Sequence, residues 1–315
     1  MTRLIALDWG TTSLRAFLIE EGRVIETRKS PHGIQKLPEP GGEAGFNAAF
    51  TEICGPWLEA EPSLPVVAGG MVGSAQGWRE APYVPLPAAI SDIARLSVSV
   101  ETDLGARLHI APGLVQDAPG LLPDVMRGEE IQILGAVSDH PERAEASRII
   151  LPGTHSKWVR LRAGRITDFA TYMTGEVFDL LSNQSLLSRL MIGTGDEAER
   201  DMAFLQGVDL ASESGPGDLT RQIFSARSLG LTGRMAGNVL RDYLSGLIIG
   251  HEITSARREL DGGEALLMIG EGALCARYLA AMAHLGLPPV VRLENTAPAG
   301  LWLFARSLGL LDAQK

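Results

Sequence analysis

Residues 4–19, LIALDWGTTSLRAFLI, contain two apolar runs separated by the polar stretch Asp-Trp-Gly-Thr-Thr-Ser. The first run is short and rich in Leu and Ile, and in the second run Leu14, Ala16 and Leu18 occupy alternate positions. Alternation of this kind, on both sides of polar turn residues, predicts two β-strands joined by a tight turn. The rest of the chain is interpreted outward from this predicted hairpin.

The residues of the predicted turn suit a phosphate group. Gly10 lets the backbone approach a ligand closely, and Thr11 and Thr12 offer amide and hydroxyl donors. Asp8, at the end of the first strand, is placed to hold a metal ion through water. An ordinary surface hairpin can carry the same residues, so the phosphate interpretation needs a second observation.

A second copy of the pattern provides it. Residues 149–166, IILPGTHSKWVRLRAGRI, repeat the order of residues 5–23: apolar strand, Gly-Thr-x-Ser turn, alternating strand and Gly-Arg. A repeat this far apart indicates two structurally similar halves rather than a solenoid. Two such turns could face each other across a cleft and grip one polyphosphate from both sides. The second copy supplies further candidate phosphate ligands: Gly153, Thr154, His155 and Lys157.

Composition restricts the function classes. The chain of 315 residues is long enough for two domains, and its formal net charge is −10 with no block of Lys or Arg. A nucleic-acid partner is therefore not expected, because it would need a basic face. No apolar run approaches the length of a membrane span, and Asp8 interrupts the first run too early for a signal peptide. Cys54 and Cys275 lack ligand-spaced neighbours, and we expect a cytoplasmic protein without zinc or disulfides.

Hydrophobic periodicity predicts an α/β protein in which strands come first and helices later in each half. A charged stretch at 139–147 is the expected boundary between an N-terminal lobe, 1–138, and a C-terminal lobe, 139–315, with the last helix packing back on the first lobe. Beyond the two hairpins, strands are predicted at 23–29, 66–68, 108–111, 265–269 and 289–293. Helices are predicted at 46–60, 131–137, 175–191, 196–208, 217–228, 235–259, 273–285 and 296–310.

A glycine-rich turn follows the predicted strand at 265–269. Its Gly270-Glu-Gly-Ala sequence lacks the third glycine and the following βαβ unit of a dinucleotide fingerprint. Gly270 and Gly272 could instead admit adenine and ribose against bare backbone. A plain strand–helix turn explains the local sequence equally well.

Two adjacent acids, Glu129 and Glu130, follow Gly128 and open the predicted helix at 131–137. Acids at a helix start are often explained by the helix dipole alone. If the two phosphate turns face one cleft, however, a carboxylate here could accept a proton from a hydroxyl group.

The order of first phosphate hairpin, interdomain helix, second phosphate hairpin and late glycine-rich turn resembles the sugar kinase, actin and heat-shock ATPase superfamily. That resemblance implies two ribonuclease H-like domains around a central nucleotide cleft, with ATP and Mg²⁺ as ligands. Further motifs together look like the 2-dehydro-3-deoxygalactonokinase family over nearly the whole chain: Gly70-Met-Val-Gly-Ser, Gly77-Trp-x-Glu-Ala-Pro-Tyr, Met126-Arg-Gly-Glu-Glu-x-Gln, Pro152-Gly-Thr-His-x-Lys-Trp and Met173-Thr-Gly-Glu.

The family resemblance implies MgATP-dependent phosphorylation of the terminal hydroxyl of 2-dehydro-3-deoxygalactonate, in galactonate catabolism. Gly175, in the Met-Thr-Gly-Glu motif, then joins the expected nucleotide-binding residues. Two positions depart from the family pattern: Ile131 replaces a usual Thr, and Gln184, between Asn183 and Ser185, replaces a usual His. A changed substrate preference would follow if that His contacts sugar or nucleotide.

The sugar acid is expected against the long segment 69–87, which is rich in Gly, Pro and aromatic residues. Its candidate ligands are Ser74, Trp78, Arg79 and Tyr83, of which an Arg could chelate the carboxylate. Trp78 and Tyr83 could also serve only to anchor the segment.

Related sugar kinases place a general base, an Asp, just after a glycine and before the interdomain helix. The matching stretch here offers Glu129 and Glu130; direct position after Gly128 favours Glu129, a one-residue shift favours Glu130, and Asp117 is the next candidate. Two alternatives to the proposed activity stay open: a kinase of the same fold for another sugar or sugar acid, and an actin-like ATP-driven binding protein. The expected partner is a small-molecule sugar acid, with a homodimer as an open assembly state.

Overall fold

The computed structural model of the chain describes residues 1–120, 122–138, 140–215, 217–270 and 272–311. Internal contacts divide the chain into two compact units. The first unit comprises Met1–Ser147, Val159–Phe169 and Asn295–Lys315, and the second comprises Arg148–Trp158 and Ala170–Glu294. The predicted lobe boundary at 138/139 stays a prediction, and Asp139 itself lies outside the described residues.

The first unit contains a six-stranded sheet and a small three-stranded sheet. Its strands are β1 (Arg3–Trp9), β2 (Leu14–Glu20), β3 (Arg23–Ser30), β4 (Val66–Gly70), β5 (Tyr83–Pro85), β6 (Val98–Glu101), β7 (Arg107–Ile110), β8 (Gly113–Gln116) and β9 (Asp124–Met126). The larger sheet has the order β3-β2-β1-β4-β7-β6, and the smaller one β5-β8-β9. Because β1 is central, its residues Leu4 to Leu7 are fully buried.

The predicted first hairpin is confirmed. Strands β1 and β2 pair antiparallel, with Asp8 opposite Arg15 and Trp9 opposite Leu14. On its other side β1 pairs in parallel with β4, which places Asp8 opposite Gly69 and Trp9 opposite Gly70. The end of β1 therefore lies beside the start of the long segment that follows β4.

Helices of the first unit are α1 (Gly42–Ala60), α2 (Ile90–Arg95), α3 (Glu129–Ala136) and α4 (Pro141–Glu145), with α11 (Ala297–Ser307) returning from the end of the chain. Helix α1 starts at Gly42 rather than 46, and its Phe46, Phe50 and Ile53 join the core formed by β1 and its neighbours. Helices α3 and α11 touch at backbone level: a Cβ added to Gly300 would lie 1.9 Å from the Ile131 carbonyl oxygen.

A second sheet of five strands has the order β12-β11-β10-β13-β14. Its strands are β10 (Ala146–Leu151), β11 (Ser156–Arg162), β12 (Arg165–Tyr172), β13 (Ala265–Ile269) and β14 (Val290–Leu293), and the division between the units falls within this set. The order starts, like the first sheet, with three consecutive strands in reverse sequence, followed by a later strand beside the first of the three. The shared topology is what the internal repeat predicted.

Helices of the second unit are α5 (Thr174–Asp179), α6 (Glu197–Ser212), α7 (Asp218–Ile223), α8 (Ser225–Leu231), α9 (Leu240–Ala256) and α10 (Gly272–His284). The single helix predicted at 175–191 is wrong: α5 continues as a π-helical turn, Leu180–Gln184, and a separate 3-10 turn, Leu186–Leu190. The cause is Ser185, which has extended backbone and caps the new turn by accepting from the Leu187 amide.

Other differences follow from short elements. The helix predicted at 217–228 is two helices, α7 and α8, and the one predicted at 235–259 is the shorter α9. Strands β5, β6, β8 and β9 were not predicted, because runs of three or four residues carry too little periodicity. Within the part of the chain that the structure describes, no helix is long and apolar enough to cross a bilayer.

Glycines allow α6 and α9 to pack without a gap. A Cβ added to Gly246 would lie 1.8 Å from the Phe204 carbonyl oxygen, whereas one added to Gly262 would meet nothing within 4 Å. We expect Gly246→Ala to lower the free energy of unfolding by about 1–3 kcal/mol through overpacking, despite the better helix propensity of Ala. Urea unfolding of both variants checks this; equal midpoints for Gly246→Ala and the control Gly262→Ala would contradict it.

Candidate functional site

The turn after β1 is held in shape by the chain that follows β3. The Gly10 amide donates to the Ser13 carbonyl at 3.0 Å, and the Gln35 amide donates to the Thr11 carbonyl at 3.1 Å. A Cβ added to Gly33 would lie 2.4 Å from the Ser13 nitrogen, so only glycine lets this segment lie flat against the turn. Thr12 at the tip stays exposed, and the turn is a rigid element with an accessible outer face.

Close backbone contact also brings α3 to the end of β1. Gly128, which precedes α3, has φ +104°, and a Cβ added to it would lie 3.2 Å from the Gly70 Cα. Gly70 has φ +99°, and its added Cβ would lie 2.8 Å from the Trp9 carbonyl oxygen. The first residue of α3, Glu129, therefore lies close enough for its charge to act on Asp8.

The carboxyl groups near this point differ in environment. Burial raises the pKa of Asp8; the positive charge of Arg15 lowers it and the negative charge of Glu129 raises it. Glu130 is fully buried, and burial together with the charge of Glu129 raises its pKa to about 8. The Gly128 amide donates to Glu130 Oε2 at 2.7 Å, and Oε1 has no partner among the described residues. Glu129 is only half-buried, whereas Asp117, the reserve candidate, is exposed.

The candidate sugar-acid ligands lie on the segment between β4 and β5, in unequal settings. Ser74 is buried, and Arg79 and Tyr83 are exposed. The Trp78 ring stacks on Phe46 at 5.6 Å between ring centroids and meets Trp9 edge-on at 5.9 Å. Trp78 thus anchors the segment to the core in addition to any contact with a ligand.

Arg127 is a residue of this region that the sequence analysis missed. Its guanidinium carbon lies 4.3 Å from the Tyr83 ring centroid, and Nη2 donates to the Ala81 carbonyl at 2.9 Å. The available signal was its place in the Met-Arg-Gly-Glu-Glu motif, directly before Gly128.

The second Gly-Thr turn belongs to the second unit and is braced by α5. The Glu176 amide donates to the Thr154 carbonyl at 3.0 Å, and a Cβ added to Gly175 would lie 2.4 Å from the Gly153 carbonyl oxygen. His155 Nε2 and Glu176 Oε2 are 2.5 Å apart. The structure thus brings Gly153, Thr154, His155 and Gly175 together, as expected of one ligand site.

Lys157 and Gly270, two further candidate nucleotide ligands, make their described contacts with neighbouring protein groups. Lys157 is buried, and its ammonium group donates to the His155 carbonyl at 3.0 Å. Gly270 packs near Cys275, with its added Cβ 3.0 Å from the sulfur, while Gly272 starts α10. Of the departures from the family pattern, Ile131 is buried and Gln184 is exposed.

The buried carboxylate of Glu252 stabilises the second Gly-Thr turn through a hydrogen-bond network. Glu252, on α9, accepts from Trp158 Nε1 at 2.7 Å, from the Tyr278 hydroxyl at 2.6 Å and from the Thr174 hydroxyl. The Tyr278 hydroxyl also lies 2.9 Å from Ser156 Oγ, at the end of the turn. Burial raises the pKa of Glu252, and its hydrogen bonds oppose the rise. The network joins β11, α5, α9 and α10 around one group.

A cavity of about 350 Å³ opens beside this turn, within the second unit. It shares Gly153, Gly175, Phe178, Ala273 and Leu274 with a wider cavity of about 750 Å³ that runs along the turn to Pro152 and Thr154. A mainly apolar cavity with a few polar groups is typical of a small-molecule site. Its connection to the Gly-Thr turn suits a ligand with an apolar ring at one end and phosphate at the other.

Polar groups of the smaller cavity come from α6, α9, α10 and the turn before α9. Asp242 accepts from Arg200 at 3.3 Å and is bonded to Arg277. Asn238 Oδ1 and Arg277 Nη1 are buried without a partner among the described residues. The sequence analysis missed these residues, although Gly193-Thr194-Gly195, which also reaches the cavity, is a third Gly-Thr sequence that could have been noticed.

Metal binding has no ready-made cage in the described ranges, where no group of three or more His, Cys, Asp or Glu side chains is arranged to hold an ion. Magnesium bound to nucleotides commonly uses only one or two carboxylates, with phosphates and water completing its shell. Asp8 fits that pattern as a single carboxylate: burial raises its pKa, Arg15 lowers it and Glu129 raises it, and a bound cation would stabilise its charged form.

Comparison with protein families gives a match over nearly the whole chain. A family model described as 2-keto-3-deoxy-galactonokinase matches residues 8–304. A Rhizobium meliloti (strain 1021) protein assigned as a 2-dehydro-3-deoxygalactonokinase is 35% identical over 305 residues, covering 96% of each chain. The 2-dehydro-3-deoxygalactonokinase of Escherichia coli (strain K12) is 36% identical over 295 residues, covering 94% of each.

Solved structures show the same relationship. A Sinorhizobium meliloti protein assigned as a 2-dehydro-3-deoxygalactonokinase has a TM-score of 0.83 at 33% identity, covering 97% of this chain and 99% of its own. The activator of 2-hydroxyisocaproyl-CoA dehydratase from Clostridium difficile, solved with bound ADPNP, has a TM-score of 0.51 at 14% identity, covering 99% of this chain and 98% of its own. The fold is that of actin-like ATPases and sugar kinases, which confirms the predicted fold class.

The raised pKa of Glu130 predicts a pH dependence of stability. Between the ordinary value of 4.5 and the folded value of about 8, the unfolded chain loses this proton while the folded chain keeps it. The contribution of Glu130 to the free energy of unfolding should therefore fall as pH rises through that window, by up to about 1.4 kcal/mol per pH unit. Urea unfolding between pH 5 and 8 should show a flatter profile for Glu130→Gln, which stays neutral. The exposed Glu59→Gln serves as control, and parallel profiles for all three proteins would refute the prediction.

Proposed function

The chain belongs to the 2-keto-3-deoxy-galactonokinase family of carbohydrate kinases, and we propose that it transfers the γ-phosphoryl group of ATP to the terminal hydroxyl of 2-dehydro-3-deoxy-D-galactonate. The product is the 6-phosphate, in galactonate catabolism, and the proposal includes a cytoplasmic location. The observation that carries it is the family match from 8 to 304, because it includes both Gly-Thr turns and the acids of α3.

The second unit is proposed to bind the nucleotide. Its two connected cavities provide an apolar compartment next to the Gly153-Thr154 turn and the start of α10. Adenine and ribose have both donors and acceptors, and would give partners to Asn238 Oδ1 and Arg277 Nη1, which are buried and lack a partner within the described ranges. The phosphates would then extend along the turn past Gly175, where backbone amides can donate hydrogen bonds to phosphate oxygens.

The first unit is proposed to act on the transferred phosphoryl group. Gly10, Thr11 and Thr12 form the rigid turn, and Asp8 would hold Mg²⁺ through water. Mg²⁺ supplies neutralisation of the charge on the β- and γ-phosphates. The support for this placement is the position of Asp8 at the end of β1, directly before the Gly-Thr turn, with Glu129 as a second carboxylate close enough to act on it. Arg15, opposite Asp8 on β2, is a cation already beside it.

Glu129 is proposed as the group that accepts the hydroxyl proton. The hydroxyl oxygen of the sugar acid bonds to the γ-phosphorus, the bond from phosphorus to the bridging oxygen breaks, and ADP leaves with that oxygen. A carboxylate that bonds to the hydroxyl also orients it for in-line attack. Glu129 is half-buried and lies by Asp8, whereas Glu130 is fully buried with a pKa near 8 and is protonated at neutral pH. Those differences favour Glu129.

A coupled assay for ADP, run with a panel of acceptors, tests the proposed activity. We expect turnover with 2-dehydro-3-deoxy-D-galactonate, a lower kcat/KM for its C4 epimer, and negligible ATP consumption without an acceptor. A missing or inverted hydroxyl contact commonly costs 10²-fold or more where the site bonds it, so discrimination of about that size is expected. Preference for another sugar would reassign the substrate, and acceptor-independent hydrolysis would favour an actin-like ATPase.

The choice between the two adjacent acids gives a direct test of the mechanism. Glu129→Gln should lower kcat by about 10²-fold or more, the usual scale for loss of a general base, with KM for both substrates nearly unchanged. Glu130→Gln, which matches the protonated form, should keep most of the wild-type kcat. The opposite ranking would assign the base to Glu130, and normal turnover in both would place the base elsewhere.

A further inference from the structure

Arg127 is a partly buried residue whose guanidinium group has unused hydrogen-bonding capacity. Its guanidinium is held by the Tyr83 ring, 4.3 Å away, and by the bond from Nη2 to the Ala81 carbonyl. Nε and Nη1 are both buried and have no partner within the described part of the chain. Leaving a charged donor buried and unpaired is costly, so these two nitrogens call for an acceptor.

The segment that Arg127 contacts carries two more donors of the same kind. Ser74 is 7% exposed, and its Oγ has no partner among the residues described. Trp78 Nε1 is likewise buried and unpaired there, although the Trp78 ring is well packed. Ser74 directly follows Gly73, and a Cβ added to Gly73 would lie 3.1 Å from Arg127 Nη1. Arginine and segment are thus in close contact, and all their unpaired groups can donate.

The backbone of the segment does not provide the missing acceptors. The Ser74 carbonyl accepts from the Gly77 amide at 2.9 Å, and the Gly73 carbonyl accepts from the Ala81 amide at 2.9 Å. These bonds give the segment a fixed shape without using the side-chain donors. A set made of one cation and two neutral donors matches an anion with several lone pairs, as a carboxylate offers.

Arg127 and Glu129 face different neighbours although only Gly128 separates them. Gly128 has φ +104°, which turns the chain between the two side chains. The Arg127 guanidinium contacts the segment between β4 and β5, whereas the Glu129 carboxylate accepts from the Arg127 backbone amide at 3.1 Å and acts on Asp8 at the end of β1. A sugar acid has its carboxylate at one end and its reacting hydroxyl at the other. Different protein groups must therefore bind the two ends, as Arg127 and Glu129 could.

Arg79, the arginine expected from sequence, is exposed, and its backbone amide donates to the Val72 carbonyl at 3.4 Å. We propose that Arg127, with Ser74 and Trp78, forms the subsite for the carboxylate of the acceptor, and that this subsite selects sugar acids over neutral sugars. The inference rests on the proposed kinase activity toward a sugar acid. It adds to that activity the identity of the residues that bind the substrate carboxylate.

Arg127→Met tests the subsite, because it removes every N–H donor and the charge while keeping much of the side-chain volume. The full-length protein is assayed with 2-dehydro-3-deoxy-D-galactonate and with its neutral methyl ester. KM for the acid should rise about 10- to 100-fold, the loss expected for charge-assisted hydrogen bonds, with KM for ATP within about twofold of wild type. KM for the ester should change little, since the ester has no carboxylate to lose.

Arg28→Met is the matched control. Arg28 also stacks on an aromatic ring, 4.1 Å from the Trp57 centroid, and also donates to a backbone carbonyl, that of Ile53. Its Nε, unlike that of Arg127, is paired with Glu26 at 2.8 Å. Arg28→Met should therefore leave KM for the acid unchanged. If Arg127→Met impairs acid and ester equally, Arg127 serves only to hold the segment, and the proposal is overturned.

Single-donor variants decide the matter if Arg127→Met does not fold. Ser74→Ala removes one donor with little change in packing, and Trp78→Phe removes one donor while keeping an aromatic ring against Phe46. Each should raise KM for the acid about 3- to 10-fold but not KM for the ester. Unchanged KM for the acid in both variants would reject the subsite.

Calorimetric titration of the acid without ATP separates this proposal from the proposed activity. Binding of the acid that weakens in Arg127→Met, without phosphorylation by the wild type, would refute the kinase assignment and keep the carboxylate subsite. Phosphorylation by the wild type that is insensitive to Arg127 and to both single-donor variants would do the reverse. A wild type that neither binds nor phosphorylates any sugar acid would refute both.

Discussion

Contact between Gly128 and Gly70 sets the geometry on which the acidic region of the first unit depends. Both glycines have positive φ, and a side chain on either would collide with the backbone of β1 or β4. Their approach brings the first turn of α3 to the end of β1, where Glu129 influences Asp8. The proposed catalytic arrangement of carboxylates thus depends on backbone packing, which side-chain fluctuations disturb less than contacts made at the ends of long side chains.

Burial gives neighbouring or equivalent groups different chemistry. Glu129 and Glu130 are adjacent in sequence, yet only Glu130 is fully buried, and its pKa of about 8 keeps it protonated at neutral pH. Glu252 in the second unit is also buried, but three donors, from Trp158, Thr174 and Tyr278, bond to its oxygens. A buried carboxyl group bonded by several side-chain donors can organise the elements around it. Glu130 accepts only from nearby backbone, and its raised pKa mainly reflects the cost of desolvation.

The two larger sheets share one topology but differ in what surrounds their Gly-Thr turns. Each sheet begins with three consecutive strands in reverse order. A Gly-Thr turn joins β1 to β2 in the first sheet and β10 to β11 in the second. In the first unit the turn is braced by Gly33 and accompanied by acids, while in the second it is braced by Gly175 and accompanied by a cavity. What surrounds each turn, rather than the turn itself, distinguishes the proposed catalytic groups from the proposed nucleotide site.

Sequence by itself determined the two Gly-Thr turns, the strands on either side of them and the main helices, because alternation, helical spacing and turn residues act over a few neighbours. It also pointed to Glu129 and Glu130 as a pair, without separating them. Only the tertiary structure decided that Glu130 is buried and that Arg127, not the exposed Arg79, has buried guanidinium nitrogens at the segment between β4 and β5. Those outcomes depend on packing between segments far apart in the chain, which no local pattern encodes. The same reason explains why the sequence did not reveal the polar groups of the second unit's cavity: Arg200, Asn238, Asp242 and Arg277.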